Sequence, residues 1–248
     1  MLRQITLATA VLFAMQSVQA ADITVSAAAS LKEAFTEIAK LYEKQNPQDK
    51  IKLNTAASGV LLQQLAQGAP VDVLATADTA TMDKANNQKL IVAHTRKNFA
   101  RNSLVLVTPK KSTVRVKTLA DLRQANVKRI AVGKPESVPA GAYAKAALEK
   151  NNLFNQLNNK YIYTQNVRQA LDYVFRGEVD AGFVYRTDAQ LKQFALNITG
   201  EVPTVQPVIY PIATTTRSQH AAEAKRFTDF VLSPEAQSVL QRYGFSKP

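Results

Sequence analysis

Cysteine and tryptophan are absent from the 248 residues, and histidine occurs only twice, at His94 and His220. Each shortage narrows the chemistry. Without cysteine there is no disulfide framework, no thiolate for a metal and no thiol to carry a lipid, so the core alone must hold the fold. Two histidines far apart in sequence lack the spacing of a zinc site. Neither stands beside a serine-bearing junction, where a hydrolase needs a base within reach of its nucleophile. No S-x-x-K follows residue 20, and Gly133-Lys134 lacks both the earlier glycine and the following Ser/Thr of a phosphate-binding loop. Acidic residues are few, 19 against 31 Lys plus Arg, and form no cage-like cluster. A membrane-spanning run is missing too, because Ile5–Met15 falls well short of roughly 20 residues.

What is present begins with an export signal. Met1-Leu2-Arg3 is a positive start, Ile5–Met15 the apolar stretch and Val18-Gln19-Ala20 a small-residue cleavage site. The expectation is cleavage after Ala20 and a free protein in a Gram-negative periplasm. The formal charge of +12 favours anionic partners. The basic residues are dispersed, and the densest run, Pro109–Lys117, has no interleaved aromatics, so nucleic acid is not expected. Small anions remain.

Strand-like and helical segments alternate from Ile23 to Arg242, the pattern of an α/β protein with mostly parallel sheets. Ligands of such sheets gather at the carboxyl ends of strands, beside helix N-termini. Four strand-to-helix junctions are small, uncharged and rich in donors. Ser30 opens S-x-x-E, which reads as an N-cap whose hydroxyl still has a hydrogen to give. Ser58 reads as a second N-cap, and Gly59 lets backbone approach closely. Pro139 presets a helix start that leaves Ala140 and Gly141 as bare N–H donors. Asn166 reads as a cap that frees the Val167 N–H. Arg168 is read either as a clamp on an acidic ligand or, preferably, as an outward solvated charge. Tyr185 ends an apolar strand as an edge-packing ring or as a phenolic donor over the same crevice.

The ordered segments "ITVSAAASL", "AASG…QGAPVDVLATAD", "NSLVLVTP", "AVGKPESVPAGAYAKAAL", "NVRQALDYVFRGEVDAGFVY" and "AKRFTDFVLSPEAQSVLQRYGF" resemble the periplasmic molybdate-binding proteins, the solute receptors of molybdate ABC importers. The likeness runs over essentially the whole chain after residue 20. It implies a two-lobed periplasmic binding protein of type II, with two crossings between lobes. Lobe one would be 22–102 with 212–248, lobe two 103–211, and the crossings would lie near Arg101–Ser103 and Tyr210–Ala213. It implies molybdate- and tungstate-binding positions at Ser30, Ser58, Ala140, Val167 and Tyr185, with molybdenum present only as its oxyanion and no cofactor. It also implies a monomer that docks on a permease and is not an enzyme. Two departures stand out: Ser26 where the family often has an aromatic, and Gly59 where another serine can follow Ser58. Rival readings are a receptor for sulfate, chromate or an organic acid, a secreted serine hydrolase, and the effector domain of a transcriptional regulator.

Overall fold

The computed structural model describes residues 21–248. The export segment and its cleavage after Ala20 lie outside the described residues. In chain order the strands are β1 Ala21–Ala28, β2 Asp49–Ala56, β3 Val73–Ala75, β4 Lys97–Asn102, β5 Leu104–Pro109, β6 Ile130–Gly133, β7 Tyr161–Thr164, β8 Ala181–Tyr185, β9 Leu196–Glu201 and β10 Val208–Thr214. The helices are α1 Lys32–Gln45, α2 Ser58–Ala66, α3 Thr79–Asn87, α4 Pro139–Lys150, α5 Val167–Phe175, α6 Arg186–Leu191, α7 Ala221–Val231 and α8 Pro234–Arg242.

The strands form two five-stranded sheets, ordered β2-β1-β3-β10-β4 and β7-β6-β8-β5-β9. Each sheet is mixed. β1 runs parallel to β2 and β3, and β6 parallel to β7 and β8, whereas β10 and β5 run antiparallel to their neighbours. The antiparallel strands flank the two connections between sheets. The chain leaves the first sheet at β4 and enters the second at β5 with only Ser103 between. It returns between β9 and β10. The second crossing expected near Tyr210–Ala213 therefore falls inside a strand: Val208–Thr214 pairs throughout with the first sheet, and the return lies within 202–207.

Local patterning explains the layers. In α1 the buried residues Ala34, Phe35, Ile38, Ala39 and Tyr42 recur with helical period and face the first sheet. In α5, Val167, Ala170, Leu171 and Val174 do the same against the second. β8 is buried along its whole length, as expected of a central strand covered on both faces. Phe35, Phe99 and Phe227 pack together beneath the first sheet, their centroids 5.7 and 6.3 Å from Phe35. No helix among the described residues is long and apolar enough to cross a membrane.

Candidate functional site

The carboxyl ends of β1, β2, β6 and β8 converge where the two sheet units meet, and a small cavity of about 10 Å³ lies there. It is lined by Ala28, Ala29 and Ser30 after β1, and by Ala56, Ala57 and Ser58 after β2. Ala77 comes from the loop before α3, and the second unit supplies Val138, Pro139, Ala140, Val167 and Tyr185. All five sequence-predicted positions, Ser30, Ser58, Ala140, Val167 and Tyr185, thus face one space. Among the described residues no charged side chain lines it.

The cap assignments need correction. Ser30 is not the N-cap of α1. It sits in a 3-10 turn, Ala29–Leu31, that precedes the helix, and Leu31 is the cap residue, with no side-chain cap bond. Ser58 is not a cap either: it is the first residue of α2 after Ala57, and its Oγ accepts the N–H of Ala77 at 3.0 Å. Both serines are freed from capping, and both are buried. The α4 start is as read, with Pro139 in the first turn after Val138. The N–H of Gly141 bonds Val138 O at 2.9 Å, so that donor is used within the turn while Ala140 keeps a first-turn N–H. A Cβ on Gly141 would lie 1.8 Å from Gly133 O, so α4 packs its first turn directly on the end of β6. Asn166 caps α5 as read, its side chain accepting from Gln169 N, which leaves the Val167 N–H as a first-turn donor.

Tyr185 is fully buried, and burial pushes its phenol well above its ordinary range, so it remains a proton donor at any physiological pH. Its hydroxyl reaches toward Ala77 O across the two units at a long 3.5 Å. Ser30 Oγ lies 2.9 Å from the hydroxyl of Tyr210, a fully buried residue of β10 whose ring packs edge-on against Tyr185.

Arg168 overturns its preferred reading as an outward charge. Its side chain is only 19% exposed and reaches from α5 into the first unit. There Nη2 meets Glu33 Oε2 at 2.5 Å and Ser30 O at 3.3 Å. Within its own unit Nε lies 2.8 Å from Asp188 Oδ1, a contact whose N–H points off the line to the oxygen, so it is ionic rather than a formed hydrogen bond. Asp188 is fully buried. Burial raises its carboxyl to about 6 despite the opposing pull of Arg168 and of the Tyr185 N–H. Arg168 does not line the cavity; it ties the walls together. The roles of Glu33, Asn102 and Tyr210 here are not legible in the sequence, because the partners that define them lie 135, 85 and 180 residues away.

The two departures also find their places. Ser26 is buried beneath the site and accepts from Asn54 Nδ2 at 3.2 Å. Gly59 donates its N–H to Ser137 O of the other unit at 3.0 Å, and a Cβ there would stand 2.7 Å from Ser137 Cα. That backbone N–H is therefore spent on the contact between units and not on the cavity. The histidines lie elsewhere, His94 in a 3-10 turn at Ala93–Thr95 and His220 just before α7, so neither serine has a base. Among the described residues no group of three His, Cys, Asp or Glu could hold a metal.

The family model for bacterial extracellular solute-binding proteins matches residues 23–246. The molybdate-binding protein ModA of Escherichia coli K12 is 37% identical over 230 residues, covering 90% of this chain and 88% of that protein. ModA of Haemophilus influenzae is 35% identical over 230 residues, 91% and 90% of the two chains. Among solved structures, the periplasmic molybdate-binding protein of Azotobacter vinelandii superposes with a TM-score of 0.80 over 91% of this chain and 99% of that one; at 23% identity it speaks to the fold alone.

Proposed function

Because this chain belongs to the bacterial extracellular solute-binding proteins, we propose that its solute is molybdate, with tungstate accepted in the same space. A permease of an ABC importer would receive the oxyanion. The protein is a binding component of transport and not an enzyme. The observation that carries the proposal is the convergence of uncharged donors from both units on one small cavity. The donors are the hydroxyls of Ser30, Ser58 and Tyr185 and the first-turn N–H groups of Ser30, Ser58, Ala140 and Val167. A tetrahedral dianion without a proton offers four acceptor oxygens and asks only for donors. Its charge is balanced by helix N-termini, each contributing ~0.3–1 kcal/mol when exposed and up to ~2 when partly buried. The net charge of +12 hastens encounter with a dianion.

Because the donors are divided between units, an anion held by one gains its remaining bonds only when the two approach, and it therefore favours the closed arrangement. We take the moving bodies as 22–102 with 208–248, and 103–207, the division drawn by the sheets. Calorimetric titration with molybdate, tungstate, sulfate and phosphate tests the assignment. Tight binding of the first two and weak binding of the others is expected; preference for sulfate or for an organic acid would replace it.

A further inference from the structure

One partly buried chain of hydrogen bonds behind the cavity carries direction as well as position. Asn102, the last residue before the first crossing, accepts the N–H of Ser103 on its Oδ1 at 2.9 Å. That bond fixes which end of the amide is oxygen, so the opposite end is a donor. Nδ2 donates to Thr187 Oγ1 at 2.8 Å and to the hydroxyl of Tyr210 at 3.3 Å. Tyr210 is fully buried, and burial holds its phenol far above its ordinary range, so it keeps its single hydrogen. Having accepted from Asn102, it places that hydrogen on Ser30 Oγ, 2.9 Å away; the reverse order would leave a buried phenolic hydrogen with no acceptor.

We propose that Asn102 and Tyr210 are positioning residues that set the proton direction of Ser30, so that this hydroxyl meets the solute as a donor and the site discriminates against oxyanions that carry a proton. With Tyr210 donating to it, Ser30 finds no acceptor among the described residues for its own hydrogen, which turns to the cavity. Ser58 reaches the same state by a different route, its oxygen taking the Ala77 N–H. A protonated oxyanion then sets its own hydrogen against a wall of hydrogens. The proposal rests on the oxyanion reading above, and deepens it.

The test is Asn102→Asp. The new side chain is isosteric and still accepts from Ser103, but it also accepts from Tyr210. The relay then reverses: Tyr210 donates to the carboxylate, Ser30 donates to Tyr210, and a serine lone pair faces the solute. Affinities are measured at pH 8 by displacement of molybdate for two dianions of similar size, selenate without a proton and hydrogen arsenate with one. Their equal charge cancels the effect of the added carboxylate. The preference for selenate over arsenate is expected to fall about tenfold, the worth of one hydrogen bond. In the double variant with Tyr210→Phe the relay is cut, and the preference returns toward the native ratio. An unchanged ratio in Asn102→Asp, or an equal change with and without Tyr210, overturns the proposal. Neutron diffraction from native crystals is the second measurement: a hydrogen on Tyr210 directed at Ser30 supports the relay, and one on Ser30 directed at Tyr210 refutes it. If native protein does not bind molybdate, the oxyanion reading itself has failed, which is a separate result.

Discussion

Replacing Glu33 by Gln removes one charge from the contact between the units while leaving the cavity lining untouched. In the native protein Arg168 makes two kinds of contact. One, with Asp188, lies inside the second unit; the other, with Glu33 and Ser30 O, joins the units. Only the second is lost when the units part. The Glu33 side chain is 37% exposed, so solvent screens the pair and it contributes about 0.5–1 kcal/mol to closure. Glu33→Gln should therefore weaken molybdate binding roughly two- to fivefold, an effect that shrinks in high salt. Arg168→Met also removes the charged bond to Ser30 O, worth ~1.5 kcal/mol, for a combined loss of roughly 30- to 70-fold. It strands Asp188 as well, so its melting temperature should fall while that of Glu33→Gln holds. Calorimetry, thermal melts and small-angle scattering with and without molybdate separate the two. Native affinity in Glu33→Gln at low salt, together with an unaltered scattering change, would falsify the idea that this ion pair contributes to closure.

Deleting a single donor hydroxyl, by Ser58→Ala or Tyr185→Phe, should each cost ~1.5–3 kcal/mol of molybdate affinity, about 10- to 150-fold, with the fold intact; silence in both titrations would remove them from the site. Gly59→Ala drives a methyl group into the Ser137 backbone and should oppose closure by ~1–3 kcal/mol, lowering affinity without lowering the melting temperature, and a drop in the melt alone would contradict this. Asp188 has a raised carboxyl, about 6 against an ordinary 3.8, so the folded protein holds its proton more tightly than the unfolded chain. Its contribution to stability is greatest below about pH 4 and declines as pH rises toward 6, on the order of 3 kcal/mol in all. Denaturation curves of native protein and Asp188→Asn, subtracted across that range, should show this slope, and a flat difference would count against it.

The junctions were legible because small residues and serines at the ends of apolar strands stand out against helical periodicity, and all five candidates meet at one cavity. What was misread there was local hydrogen bonding. S-x-x-E matches a cap, but the chain inserts a 3-10 turn at Ala29–Leu31, and Ser58 is engaged by an N–H nineteen residues on. β4, Lys97–Asn102, carries no strand signal in the sequence because it is a polar edge strand without alternation, and β9, Leu196–Glu201, is likewise an edge. The α3 segment, TATMDKANN, has no apolar stripe; its cap Asp78, which accepts from Thr81 N, was its clearest mark. Arg168 shows the firmer limit. Its partner Glu33 is 135 residues away, and no spacing in the chain announces that pair.

Six alanines line the cavity, at 28, 29, 56, 57, 77 and 140. Their shortness would let main chain itself touch the proposed solute, and an amide proton survives nearly every codon change. The share of the proposed selectivity that rests on main-chain amides would thereby lie where only a proline substitution deletes it, while bulk is what other mutations readily alter. Descendants seeking a larger cargo would gain more by trimming methyl groups than by swapping charges.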